Sequence, residues 1–184
     1  MSGTSLDGVD LAYVEFEKNK KWTYNIGPNT TIPYPKKWLK KLQSLHTKNK
    51  IIIKQTDVEY GNYLGSLINS FILDNKLNVD FIASHGHTIF HQPNKGYTLQ
   101  IGNGQSIANK CKQTVICDFR SLDVSLGGQG APLVPIPSLE EFVTTQPQVC
   151  VHVVGAKYDG VAVTQKYEFN RTKNVITHRL HILS

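Results

Sequence analysis

The sequence has few cysteines, and no stretch of it is long and hydrophobic enough to cross a membrane. Its three cysteines, Cys111, Cys117 and Cys150, are widely spaced and form no C-x-x-C pair, so neither a disulfide framework nor a zinc site is predicted. No apolar run approaches the ~20 residues of a membrane span, and no charged leader precedes an apolar segment. We therefore expect a cytoplasmic protein with no membrane partner.

Acidic residues are also in short supply relative to basic ones. Lys and Arg total 20 against 14 Asp and Glu, which gives a formal net charge of +6 and favours anionic partners such as nucleotides or acidic metabolites. The excess lysines are concentrated in the first fifty residues, on a predicted hairpin tip and helix face with few aromatic residues between them. A solvated face is therefore favoured over a nucleic-acid patch, and no nucleic-acid partner is expected.

The spacing of apolar residues in the first half of the chain predicts a hairpin followed by two helices. Alternating apolar residues at 11–16 and 22–26 indicate two paired strands. After Pro33 and Pro35, apolar residues at helical spacing predict a short helix. A second, longer helix is predicted to begin near Thr56, because Glu59 follows three residues later and completes a capping box.

The second half predicts short strands that end in polar or glycine residues. We expect strands at 79–83, 97–101 and 114–117, with a short helix from Gln105 to about Lys112. In open α/β sheets, ligands bind outside the carboxyl ends of the strands, so polar residues there predict a site. Further along, the pattern predicts a helical turn at 139–143 and three strand regions, at 149–154, 161–169 and 175–182.

The segment from residue 3 to residue 10 combines glycines, hydroxyls and carboxylates in a turn that enters the first strand. Its residues are Gly3, Thr4, Ser5, Leu6, Asp7, Gly8, Val9 and Asp10. Glycines let backbone N–H groups converge on an anion, and the hydroxyls add donors. A carboxylate fits beside phosphate if hydrated Mg²⁺ bridges the two, which makes Asp7 a candidate for that role. An ordinary Asp-Gly hairpin turn explains the same residues equally well.

Three other features carry candidate chemistry, each with a plainer explanation. His85, His87 and His91 could ligate a metal, although binding a ligand hydroxyl or satisfying a strand end is favoured. The Arg120 fork suits a substrate carboxylate, or an internal ion pair with Asp118 or Asp123. The glycine-rich loop at 127–132 could cradle phosphate, but it lacks the Lys and Ser or Thr of a Walker A loop.

Four ordered motifs resemble those of the anhydro-N-acetylmuramic acid kinase family, a branch of the acetate/sugar kinase, Hsp70 and actin superfamily. The motifs are Met-Ser-Gly-Thr-Ser-Leu-Asp-Gly-Val-Asp at 1–10, Ser-His-Gly-His-Thr at 84–88, Gln-Ile-Gly-Asn at 100–103, and Asp-Phe-Arg at 118–120 leading through Asp123 to Gly-Gly-Gln-Gly-Ala-Pro-Leu-Val-Pro at 127–135. The resemblance covers about residues 1–137.

The resemblance implies an α/β, actin-like (ribonuclease H-like) mixed sheet with flanking helices, forming one lobe of a two-lobed kinase. It implies a cytoplasmic enzyme of cell-wall (peptidoglycan) recycling that opens the 1,6-anhydro ring of the amino sugar by hydrolysis while ATP phosphorylates O6, with Mg²⁺ as cofactor. Residues 3–10 correspond to the ATP-phosphate segment. Ser84, His85, His87, Asp118 and Arg120 correspond to the sugar-side cleft, where the lactyl carboxylate suits Arg120.

The sequence also departs from the family pattern. No strand precedes the phosphate segment, the family's catalytic Asp signature of the Phe-Asp-x-Gly-Pro type is not found, and the full kinase is about twice this length. We therefore expect a kinase-like lobe at 1–137 and a divergent β-rich tail at 138–184, in a truncated or divergent kinase. The alternative is a non-catalytic sugar- or nucleotide-binding domain. A homo-oligomer or a partner chain would cover the surface left by the missing lobe.

Overall fold

A five-stranded mixed sheet with helices packed against it forms the first of two units. The computed structural model describes residues 6–18, 22–125 and 128–130, and the backbone of the tail strands given below. The first unit comprises residues 1–90, 99–118 and 150–158. The mixed α/β class predicted from the sequence is confirmed.

The strands of this sheet run in the order β2-β1-β7-β3-β6. Their bounds are β1 Gly8–Lys18, β2 Trp22–Pro33, β3 Phe81–Ser84, β6 Thr114–Cys117 and β7 His152–Val154. β1 and β2 form the predicted antiparallel hairpin. The tail strand β7 lies between β1 and β3, parallel to β1 and antiparallel to β3. β3 and β6 are parallel, so their carboxyl ends meet at the same edge.

The helices among the described residues of this unit are α1 Lys36–Leu45, α2 Lys50–Asp74 and α3 Gly104–Cys111. The predictions for α1 and α3 are confirmed, whereas the predicted start of α2 near Thr56 is wrong. Asn49 is the true cap, since its side chain accepts the N–H of Ile52, and Thr56 lies within the helix at 1% exposure. In the β-branched run 51–53, whose helix propensity is weaker, Ile53 packs in the core whereas Ile51 and Ile52 are exposed.

The core of the first unit lies between the sheet and the helices. β1 contributes Val9 and Leu11 from alternate positions, and α2 contributes Tyr60, Leu64 and Ile68, all of them at most 1% exposed. The three α2 residues are four apart and therefore share one face of the helix. The two β1 residues are two apart and therefore share one face of the strand.

A strand that the sequence did not predict, β4 (His87–Gln92), pairs with β5 (Tyr97–Ile101) in a separate two-stranded sheet. Its polar residues obscured the alternation that marks a strand. The tip of this hairpin turns through a short 3-10 segment at Pro93–Lys95 and ends at Gly96, whose φ is +66°.

The second unit comprises residues 91–98, 119–149 and 159–184. Its described elements include a short helix, α4 Ser121–Ser125, and four strands in two antiparallel pairs, β8 with β11 and β9 with β10. The tail strands are β8 Ala162–Gln165, β9 Glu168–Asn170, β10 Val175–Thr177 and β11 Leu180–Leu183. The division into a lobe at 1–137 and a β-rich tail at 138–184 stays a prediction. The helical turn predicted at 139–143 and the domain boundary at 137 lie outside the described residues.

Helices α2 and α3 approach each other closely because α2 presents glycines at the contact. A Cβ on Gly61 would lie 2.6 Å from the carbonyl oxygen of Asn103, and one on Gly65 would lie 2.7 Å from the Cβ of Lys110. Real Cβ atoms do not tolerate such distances, so a side chain at either position would separate the two helices.

We predict that Gly61→Ala destabilises the protein although alanine is the better helix former. In an open helical site the change would add up to about 1 kcal/mol of stability, whereas forcing a methyl group against the Asn103 backbone costs about 1–3 kcal/mol. Urea unfolding measures the difference. Ser66→Ala, on the exposed face of the same helix, is the control and should change little. An unfolding free energy for Gly61→Ala equal to or above the wild-type value would refute the close contact.

Candidate functional site

The carboxyl ends of β3 and β6 lie side by side and deliver polar residues to one edge of the sheet. Ser84 is paired in register with Cys117, the last residue of β6, and Asp118 follows directly. The pairing therefore brings the ends of these two predicted strands together. Asp118 has a φ of +60°, a left-handed conformation that costs a non-glycine residue roughly 1 kcal/mol or more and is frequent at functional sites.

The turn at 102–104 joins the same edge. A Cβ on Gly104 would lie 2.5 Å from the Sγ of Cys117, and a backbone hydrogen bond from Gly104 reaches that thiol. Gly86, at φ +72°, packs against the carbonyl oxygen of Ile101 so closely that a Cβ would clash with it. The motifs at 84–88, 100–103 and 117–118, which are far apart in sequence, thus meet in the first unit.

This edge of the sheet is rich in acceptors and negative in charge. Burial, followed by the charges of Asp118 and Asp57, raises the pKa of the Cys117 thiol, and the Gly104 hydrogen bond opposes the shift. Two carboxylates within range of one thiol make the site suited to hydroxyl and amide donors rather than to bare phosphate.

Sequence reasoning missed Asp57. Its Oδ1 accepts the N–H of Gly102 at 2.8 Å, and its carbonyl oxygen accepts the N–H of Asn103 at 3.2 Å. Asp57 lies one turn of α2 before Gly61 and two turns before Gly65. The 57–61–65 spacing of a carboxylate and two glycines was the signal in the sequence that could have identified this face.

The histidines predicted for the sugar side are buried. Ser84, His85 and His87 are 1%, 8% and 4% exposed. The Nδ1 of His85 lies 3.1 Å from the carbonyl oxygen of Gly86, and the ring of His87 meets that of Tyr60 edge-on with centroids 6.4 Å apart. The structure therefore gives both rings a part in supporting the strand ends, and sugar contacts by them stay a prediction.

Arg120 and the second glycine loop belong to the second unit. Arg120 Nη1 donates to the carbonyl oxygen of Gly130 at 3.1 Å, while Asp123 accepts the N–H of Gly130 and, through its carbonyl oxygen, that of Gly128. Asp123 is 6% exposed, and its Oδ1 has no hydrogen-bond partner among the described residues. Arg120 and Asp123 thus hold residues 128–130 of this loop, which is a role that the sequence did not suggest.

The pKa of His91, in the same unit, lies below its ordinary value. Its Nδ1 lies 3.3 Å from the Oγ1 of Thr98, and burial, with a smaller effect from the positive charge of Arg120, lowers its pKa. The described part of the chain contains no group of three or more His, Cys, Asp or Glu placed to hold a metal ion, so the spacing of the three histidines gives no metal centre there.

The phosphate segment is described only from Leu6 onward, because Gly3, Thr4 and Ser5 lie outside the described residues. The strand β1 begins at Gly8, so Gly8, Val9 and Asp10 are strand residues, and Val9 is buried in the core. The Asp7 carboxylate is exposed, with Oδ1 accepting the N–H of Gly8. Asp10 Oδ1 accepts the hydroxyl of Thr31 at 2.6 Å. One exposed carboxylate at a turn suits a largely hydrated Mg²⁺.

Among the described residues, the search for a helix with the length and hydropathy of a membrane span gives none.

A family model described as anhydro-N-acetylmuramic acid kinase matches residues 1–162, which confirms the resemblance found in the sequence. A protein of that name from Francisella tularensis subsp. novicida is 38% identical over 147 residues, covering 73% of this chain and 39% of the relative. Its namesake from Shewanella sediminis is 35% identical over 164 residues, covering 84% and 44%. The chain thus spans about two fifths of these relatives.

We predict that Asp118→Asn leaves the stability of the protein nearly unchanged, whereas Asp118→Ala lowers it. Asp118→Asn keeps a side chain that tolerates positive φ, so its unfolding free energy should stay within about 0.5 kcal/mol of wild type, whereas Asp118→Ala should lose about 1 kcal/mol. Urea unfolding of both variants tests this. Asp118→Gly serves as the control, because glycine accepts this φ without strain and should not lose stability. Equal losses in Ala and Gly would show that the left-handed backbone is not the cause.

Proposed function

Since the chain belongs to the anhydro-N-acetylmuramic acid kinase family, we propose that it supplies the sugar- and phosphate-binding part of such a kinase. The reaction would be the hydrolytic opening of the 1,6-anhydro ring of the amino sugar with phosphorylation at O6, in cytoplasmic recycling of the cell wall. The fold we propose is one actin-like lobe of two. The family match over residues 1–162 carries the proposal.

The acceptor-rich edge at β3 and β6 is where we place the sugar. Asp118 offers carboxylate oxygens to hydroxyl or amide donors of the sugar, and the buried Ser84 and His85 lie at the end of β3. Apart from that edge, the resemblance of its motif makes the planar guanidinium of Arg120, in the second unit, our candidate for the lactyl carboxylate. Its hydrogen bond to Gly130 would orient that group, because one donor of the fork is already fixed on the loop.

The turn before β1 is where we place the phosphates of ATP. Mg²⁺, when bound with ATP, neutralises phosphate charge, and Asp7 is the residue that would hold it through water. Gly8 keeps the turn close to the sheet, since a Cβ there would lie 2.5 Å from the carbonyl oxygen of Ile32. We propose that Thr4 and Ser5 add hydroxyl donors beside it.

A second candidate function is a binding domain without turnover of its own. Catalysis needs the reacting groups held to within about 1 Å, and the family's catalytic Asp signature is not found in this sequence. The span described here would then bind the sugar or the nucleotide without turnover, and would pair with a second copy or another chain to complete the site.

Titration calorimetry with Mg·ATP and with the anhydro sugar tests the proposal. We expect both ligands to bind and turnover to stay well below the ~1–10³ s⁻¹ typical of enzymes, because binding is local whereas turnover needs both lobes. Binding of neither ligand would refute the proposed function, and turnover in the typical range would refute the need for a second lobe.

Asp7→Asn is the variant for the nucleotide arm of this experiment. Asn preserves the turn but removes the charge that serves hydrated Mg²⁺, so Mg·ATP affinity should fall by about tenfold, equal to ~1.4 kcal/mol. Asp74→Asn removes one carboxylate from the exposed end of α2 and is the charge-matched control. Sugar affinity should be equal in all three proteins.

A further inference from the structure

The side chain of Asp57 reaches out of α2 to the turn that precedes α3. Its Oδ1 accepts the N–H of Gly102 at 2.8 Å, a contact between residues 45 apart in the sequence. Its carbonyl oxygen accepts the N–H of Asn103 at 3.2 Å. A single residue of α2 thus fixes two consecutive amides of the turn, one through its side chain and one through its backbone.

The turn that Asp57 fixes has little freedom on its other sides. The Asn103 backbone lies so close to Gly61 that a Cβ on Gly61 would clash with it. Gly102 has a φ of +122°, and a Cβ placed on it would lie 3.3 Å from the Cα of Gly86. Asn103 in turn caps α3, because its Oδ1 accepts both the N–H and the hydroxyl of Ser106 at 2.9 Å. A displacement of the turn would therefore move the start of α3 as a whole.

The far side of the turn lies against the end of β6. Gly104 meets the Sγ of Cys117, and Asp118 with its left-handed backbone is the next residue. Because Gly104 leaves no gap beside Cys117, the position of the turn sets the position of the strand end. The chain of contacts runs from Asp57 through Gly102 and Gly104 to Cys117 and then to Asp118.

We propose that Asp57 is a positioning residue for the sugar site: its carboxylate holds the Gly102–Gly104 turn against the end of β6 and so fixes where Asp118 lies. The consequence for sugar binding rests on the proposed function, whereas the effect on the turn does not. Asp57 need not touch the sugar for this role, and its substitution acts through the turn.

Amide hydrogen exchange, read residue by residue, tests the first part without any ligand. In Asp57→Ala, the Gly102 amide loses a charged acceptor and should exchange about a hundredfold faster, whereas Asp57→Asn keeps an acceptor and should exchange about fivefold faster. The increase should be confined to residues 102–106. An equal increase throughout α2 and β3 would mean that Asp57 contributes only to global stability, and would overturn the proposal.

Sugar binding by the same proteins tests the second part. Asp57→Ala should bind the anhydro sugar about tenfold more weakly, because misplacing a contact by a fraction of an ångström is costly, and Asp57→Asn should restore most of the affinity. Ile68→Val, which trims a fully buried core residue on the same helix, controls for lost stability and should bind normally. Unchanged affinity in Asp57→Ala, with the turn loosened, would overturn the proposal. A wild-type protein that binds no sugar would instead overturn the proposed function, and the exchange data would still decide whether Asp57 holds the turn.

Discussion

The close approach of α2 to the turn before α3 is the contact on which the candidate site depends. Asp57, Gly61 and Gly65 lie four residues apart and therefore share one face of α2. The carboxylate binds the turn and the glycines remove the volume that would hold it away. Only with the turn this close can Gly104 reach Cys117 and complete the edge where β3 and β6 end.

The parts of the fold that the sequence predicted are those with a local signal. The hairpin and α1 show a hydrophobic period, β6 is a short β-branched run, α3 follows a glycine-containing turn, and the structure confirms all four. The start of α2 was misplaced because a capping box at Thr56 resembled a true cap, while the Asn49 cap precedes a β-branched run that discourages a helical assignment. β4 was missed because its polar residues hide its period, and the central place of β7 depends on pairing between segments over a hundred residues apart, which no local pattern encodes.

The sequence predicted where the candidate site lies better than it predicted the contacts that build the site. Polar residues after two buried strands indicated the edge at Ser84 and Asp118, and the parallel pairing of those strands brings them together. The left-handed φ of Asp118 and the role of Asp57 could not be predicted from the sequence, because both depend on contacts between residues that are far apart in it. Arg120 is a similar case: its residue type indicated a carboxylate partner, but its observed bond to Gly130 depends on how the loop folds back. For each of these residues, contacts made in the folded protein fix the position of the side chain, and what that side chain can bind depends on its position.

We propose that the ends of β3 and β6 and the turn at 102–104 form one ligand site. A residue-resolved NMR titration with the anhydro sugar tests this most directly. The claim predicts that the amides of Ser84, Gly104 and Asp118 shift together, with a single dissociation constant, while those on the outer strand β2 stay unchanged. Shifts that follow different dissociation constants, or that appear away from this edge and leave these three amides in place, would contradict it.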